Sequence, residues 1–163
     1  MPHFVLIRPP RRQPRILAAE TKKNTLVIVV LDPWEIRYAG CHELPISTTL
    51  CAKRLTALLS QAICRERPQA IGVLKGNGIL PEQAQNLAHT IKVPIFIPSP
   101  AQVRKLAASA ALEESLPGLK PIDPRLLKST TQLAQATLSL TLRDYFYGNP
   151  KPYVRRQKDN PRQ

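Results

Sequence analysis

The clearest hydrophobic pattern in this 163-residue chain is the uninterrupted run Thr25–Leu31, which is rich in β-branched residues. A continuous apolar run of this length is typical of a strand that is buried on both faces. The pattern therefore predicts a central strand. Asp32 and Pro33 follow at once, so the strand ends by presenting a carboxylate just before a residue that cannot continue the ladder.

Several shorter segments also have the pattern of strands. Ile36–Leu44 alternates between apolar and polar positions, which predicts a second strand antiparallel to the first. Phe4–Arg8 and Arg15–Ala19 are shorter and predict edge strands. Ala70–Leu74 and Val93–Ile97 are apolar runs that predict two further strands.

Apolar residues that recur every three or four positions predict four helices between and after these strands. Each has a start or stop signal from a capping residue or a proline. The signals are Ser47 or Thr48 and Pro68 for the first helix, Pro81 before Glu82–Ile91 for the second, the capping box Ser99–Gln102 for the third, and Asp123 with Pro124 for a long helix to about Tyr147.

This order of elements predicts an α/β fold. Repeats of strand, helix and strand indicate parallel neighbours with right-handed crossovers, and the early hairpin adds an antiparallel side. We therefore expect a mixed β-sheet flanked by α-helices.

Charge changes the picture most, because 24 Lys and Arg against 11 Asp and Glu give a net charge of +13 and a pI near 10.2. Such a balance indicates nucleic acid as the partner. The charge predicts three regions: a basic, proline-rich arm over residues 1–23 that could include short strands, a folded domain over 24–147, and a basic tail over 148–163. The alternative is that both ends are disordered and only improve solubility.

Other classes of protein are disfavoured. No window of eighteen apolar residues exists, so we expect no membrane span and no membrane partner. The first residues lack the pattern of a secretory signal, which favours an intracellular location in the cytoplasm, the nucleoid or a DNA-containing organelle. Cys41, Cys51 and Cys64 are widely spaced and odd in number, which favours neither a disulfide framework nor a zinc site.

The strand that ends in Leu31-Asp32-Pro33, the hairpin after it and the helix leading to a short strand resemble the RuvC-type Holliday junction resolvases. This family belongs to the ribonuclease H-like superfamily. Ile97–Lys105 is similar to the family segment in which the last strand runs into Pro-Ser and then a Val-Lys-Lys helix. The resemblance covers roughly residues 25–146 and implies a ribonuclease H-like fold.

The resemblance also implies a site. The family holds paired divalent ions with an Asp on the first strand, a Glu after a later strand, and one or two Asp residues on the final helix. Asp32 matches the first acid, which makes it the candidate catalytic and metal-binding residue. Leu74 or Lys75 stands where the Glu is expected, and Leu133 and Ala136 stand at the helix positions. An alternative for Asp32 is a turn residue bonded to backbone donors.

These departures from the family pattern predict a catalytically impaired protein that binds branched or duplex DNA, in preference to RNA, through a basic surface. No cofactor is then required, and Mg²⁺ matters only if cleavage activity remains. We expect a homodimer or a larger protein complex. The alternatives are an active metal-dependent, structure-specific endonuclease and a scaffold subunit of a ribonucleoprotein or transcription complex. The candidate phosphate contacts are Arg8, Arg11, Arg12, Arg15, Lys75, Arg104, Lys105, Lys151, Arg155, Arg156 and Lys158.

Overall fold

The structure of the protein is a computed structural model that describes residues 14–33, 35–107 and 124–147. Five strands and four helices lie within these ranges. The strands are β1 (Ile16–Lys22), β2 (Thr25–Leu31), β3 (Ile36–Glu43), β4 (Ala70–Val73) and β5 (Ile95–Phe96). The helices are α1 (Thr48–Glu66), α2 (Leu80–Ile91), α3 (Pro100–Ala107) and α4 (Pro124–Tyr147).

The five strands form one mixed sheet in the order β3-β2-β1-β4-β5. Strands β1, β2 and β3 pair antiparallel, whereas β4 lies parallel to both β1 and β5. The predicted α/β fold with helices flanking a mixed sheet is therefore confirmed.

The position and the burial of β1 differ from those predicted from the sequence. It was predicted as a short edge strand, but it occupies the middle of the sheet, and Ile16–Ala19 are fully buried. The folded unit therefore includes residues that were assigned to the basic arm. The sequence signal was weak because only four apolar residues precede Glu20, and their burial comes from helices on both faces. The predicted strand Phe4–Arg8 lies outside the described residues.

Both faces of the sheet are covered, which explains the continuous apolar run of β2. Leu17 and Ala19 of β1 pack in the layer of α1 and α2, whereas Ile16 and Ala18 pack in the layer of α3 and α4. The side chains of β2 point alternately into the same two layers, so neither face of this strand meets solvent and neither needs polar residues. Its burial on both faces is confirmed.

Side-chain hydrogen bonds cap the start of α3, whereas only the backbone conformation marks the start of α1. Ser99 and Gln102 form the predicted capping box: each backbone N–H donates to the other side chain, at 2.9 and 3.2 Å. Ser47 is the N-cap of α1 by its extended backbone, but its side chain makes no capping bond. Asp123 lies outside the described residues.

Helix α4 packs directly on the sheet, and a glycine of β4 permits a close approach. A Cβ atom on Gly72 of β4 would lie 1.9 Å from Thr137 Oγ1, so only glycine lets the helix approach this strand. Leu133 and Ala136 are buried in the same layer. Among the described helices, none is long and apolar enough to cross a membrane.

Candidate functional site

The carboxyl ends of β1, β4 and β5 meet at one edge of the sheet, which hydrogen bonds hold together. The side chain of Asn77, in the loop after β4, accepts from the Thr21 N–H at 2.7 Å and donates to the Thr21 carbonyl at 3.0 Å. The N–H of Lys75 donates to the carbonyl of Pro98 at 2.9 Å. In α/β sheets this edge is where ligands commonly bind.

Glu20 lies near this edge with its side chain on the α4 side of β1. The residue is only 7% exposed. Its Oε1 atom accepts hydrogen bonds from Ser129 Oγ at 2.8 Å and from Thr130 Oγ1 at 2.9 Å, both on α4. A buried carboxylate needs such partners because its desolvation is costly. The two hydroxyls therefore stabilise the charge and fasten the helix to the central strand.

Lys22 brings a positive charge to the same place. Its Nζ atom lies 3.8 Å from Glu20 Oε1 and donates hydrogen bonds to Ser129 Oγ and to the carbonyl of Arg125. We call Glu20, Lys22, Ser129 and Thr130 the Glu20 cluster. Its carboxylate is compensated by an ammonium group of the same chain.

The residues of this edge do not fit the paired divalent ions that the resemblance to the RuvC-type resolvases implies. Continuing the register of β1 and β4, in which Ala19 pairs with Val73, places Leu74 beside Glu20. Mg²⁺ is bound through carboxylate oxygens, and two-metal sites need several of them. Within residues 14–33, 35–107 and 124–147, no three His, Cys, Asp or Glu side chains are grouped to hold a metal ion.

Asp32 lies at the opposite end of the sheet. Leu31 pairs with Ile16 at the start of β1, whereas Lys22 ends that strand, roughly 20 Å away at 3.3 Å per residue. The strand that ends at Asp32 is therefore not the first strand of the sheet, because β1 precedes it and Asp32 follows β2. On the first strand, Glu20 is the acid that lies toward the carboxyl edge.

The contacts of Asp32 are those of a turn. Its Oδ1 atom accepts from the Glu35 N–H at 2.9 Å, and its own N–H donates to the Glu35 carbonyl at 3.0 Å. The Nε atom of Arg37 lies 3.7 Å from Oδ2. This arrangement agrees with the turn alternative, while a catalytic or metal-binding role of Asp32 stays a prediction.

The described candidate phosphate contacts differ in their surroundings. Lys75 is exposed just beyond β4, and Arg104 and Lys105 are exposed in the last turn of α3. Within the described part of the chain, no ion pair involves any of these three side chains. Arg15, by contrast, donates to the Glu66 carbonyl at 3.1 Å and lies 3.9 Å from its carboxylate. The other candidates, Arg8, Arg11, Arg12, Lys151, Arg155, Arg156 and Lys158, lie outside the described residues.

Sequence analysis missed the Glu20 cluster. One local signal was present, since Glu20 directly follows four apolar residues. A second was the run Ser129–Thr131 within an otherwise apolar helical pattern. Neither signal reveals that the two segments meet, because about 110 residues separate them.

The fold, a mixed five-stranded sheet with helices on both faces, is similar to that of solved Holliday junction resolvases. The sequence matches no family model and no curated protein, but solved structures match it in fold.

RuvC of T. thermophilus in complex with a Holliday junction substrate is 15% identical, with a TM-score of 0.59, over 76% of this chain and 91% of that one. The Thermus thermophilus RuvC structure is 16% identical, with a TM-score of 0.60, over 75% and 92%. The yeast mitochondrial Holliday junction resolvase Ydc2 is 11% identical, with a TM-score of 0.60, over 86% and 84%. The predicted RuvC-like fold is confirmed.

Proposed function

We propose that this protein binds branched or duplex DNA through its RuvC-like domain and does not hydrolyse it by a two-metal mechanism. The observation that carries the proposal is the Glu20 cluster. Lys22, Ser129 and Thr130 all engage the carboxylate that lies at the carboxyl edge of the central strand. The carboxylate of Glu20 is therefore already bound by side chains of the protein itself.

The chemistry of two-metal hydrolysis explains why this matters. Divalent ions generate the attacking hydroxide and stabilise the leaving oxygen. An ammonium group can attract a phosphate, but it cannot coordinate and activate water in this way. Mg²⁺ is accordingly not required for the proposed binding.

Charge supports binding. The chain carries a net charge of +13, and Lys75, Arg104 and Lys105 expose their side chains to solvent. Cations that neutralise phosphates release bound counterions, which drives association at low salt. The similarity in fold to a RuvC that was solved with a Holliday junction favours branched DNA as the target.

Further parts of the proposal rest on the sequence alone. They are a preference for DNA over RNA, contributions from the basic ends of the chain, assembly as a homodimer or within a larger complex, and an intracellular location. The scaffold role in a ribonucleoprotein or transcription complex is the alternative, and co-purification of a native complex with RNA would favour it.

The test is a salt titration of binding to a fluorescent four-way junction. The variant Arg104→Gln/Lys105→Gln is compared with the control Lys92→Gln/Arg143→Gln. The control also removes two exposed charges, one just after α2 and one on α4. The slope of log affinity against log salt is negative, and each phosphate contact contributes roughly 0.9 to its magnitude. If each residue of the first pair contacts a phosphate, the magnitude of the slope is therefore smaller by about two in the first variant. Wild-type binding that does not depend on salt would overturn the proposal.

A further inference from the structure

A second cluster lies on the other layer of the protein, where edge strand β3 meets α1. The hydroxyl of Tyr38 is 3.2 Å from Nε2 of His42, four residues further along β3. Between them, a Cβ atom on Gly40 would lie 2.3 Å from the Tyr38 hydroxyl and 3.2 Å from His42 Nε2. The absence of a side chain at Gly40 is therefore what lets the two side chains meet.

Helix α1 supplies two arginines to this cluster. The Cζ atom of Arg65 lies 4.4 Å from the ring centroid of Tyr38, a cation–π contact, and its Nε is 3.0 Å from Glu66. Arg54 is eleven residues earlier, which is three helical turns, so it lies on the same side of α1 about 16 Å away. We call Tyr38, His42, Arg54 and Arg65 the α1–β3 strip.

The strip carries positive charge that the described residues compensate only at one end. Glu66 pairs with Arg65, but no described ion pair involves Arg54. Glu43 follows His42 directly, and alternation along the strand directs its exposed side chain to the other face of β3. Burial, followed by the charges of Arg54 and Arg65, lowers the pKa of His42. An anion bound beside the imidazole would therefore offset the positive charge of the two arginines around it.

We propose that the α1–β3 strip binds successive phosphates of a nucleic acid strand, on the opposite layer from the Glu20 cluster. The inference rests on the proposed function and extends it to a second contact surface. A polyanion fits better than a small anion, because Arg54 and Arg65 lie three turns apart along α1, which is about 16 Å of helix, and successive phosphates of a strand can follow that length. Arg65 is already held by Tyr38 and Glu66, so binding costs it little side-chain freedom.

The first test uses the same fluorescent four-way junction and compares Arg54→Gln/Arg65→Gln with Lys92→Gln/Arg143→Gln. We expect the slope of log affinity against log salt to be smaller in magnitude by about two in the strip variant than in wild type. The control pair should leave this slope unchanged. Circular dichroism and thermal melting establish that both variants are folded. A strip variant that binds like the control, while wild type binds with a steep salt dependence, overturns this inference and leaves the proposed function standing. A wild type that binds no junction overturns both.

The second test needs no variant. The imidazole resonances of His42 are followed by NMR as the junction, inorganic phosphate or poly-glutamate is added. We expect the junction alone to shift these resonances and to move the titration of His42 to higher pH, because phosphates stabilise the imidazolium. Unchanged resonances at saturating junction would overturn the proposal. Equal shifts with inorganic phosphate would show a single-anion site, and equal shifts with poly-glutamate would show a site without preference for nucleic acid; both overturn it.

Discussion

Replacing Lys22 by methionine is expected to destabilise the fold by leaving Glu20 without its cation. The two charged atoms are 3.8 Å apart, and the Glu20 side chain is 9% exposed. At an effective dielectric constant of about 20, Coulomb's law gives an attraction of about 4 kcal/mol. Lys22 is 28% exposed, so solvent screening and desolvation offset part of this value. We expect a net loss of about 2 kcal/mol.

The assay is urea unfolding followed by circular dichroism, with the slope m checked for constancy. The exposed neighbour Lys23 provides the control, because its replacement by methionine should change stability by less than about 0.5 kcal/mol. A double-mutant cycle with Glu20→Gln isolates the pair, and we expect a coupling energy of at least about 1 kcal/mol. Additive single effects, or a Lys22 variant as stable as the Lys23 variant, would refute the reasoning.

Three further predictions concern the fold around the two clusters. Gly72→Ala should cost about 1–3 kcal/mol in urea unfolding, because the new methyl group would overlap Thr137; an unchanged midpoint would mean that α4 packs elsewhere. Asn77→Ala should cost about 1–3 kcal/mol, since the backbone of Thr21 loses both bonds, and faster amide exchange at Thr21 would report this. The pKa of folded His42 is lowered from 6.5, chiefly by burial, so the unfolded chain takes up the proton first as pH falls. Stability should therefore be full above about pH 6.5 and fall below it, and His42→Gln should reduce this dependence; an identical profile in both proteins would contradict it.

Much of the fold could be predicted because its signals are local. The capping box at Ser99 and the apolar spacing of α1 are complete within a few turns of chain. The continuous run of β2 shows its own burial. Strand β1 could not be placed in the same way, because Ile16–Ala19 are a short run whose central position depends on pairing with β4, some fifty residues away.

The site was harder to predict for a related reason. The Leu-Asp-Pro motif directed attention to Asp32, but adjacent antiparallel strands end at opposite edges of a sheet. The predicted acid Asp32, which follows β2, therefore lies at one edge of the sheet, whereas Glu20 of β1 lies toward the other. Glu20 is held by Ser129 and Thr130, which lie about 110 residues further along the chain, so no local sequence pattern reveals the contact.

The most direct measurement is incubation of the wild-type protein with a four-way DNA junction in the presence of Mg²⁺ or Mn²⁺. Binding is recorded by gel shift and cleavage by denaturing electrophoresis, with Glu20→Gln and Asp32→Asn alongside. We predict a shifted complex that weakens with salt and an intact junction under all conditions. A cleavage product that disappears in the Glu20→Gln protein would contradict the account, because Glu20 would then act in metal-dependent hydrolysis despite its bonds to Lys22, Ser129 and Thr130.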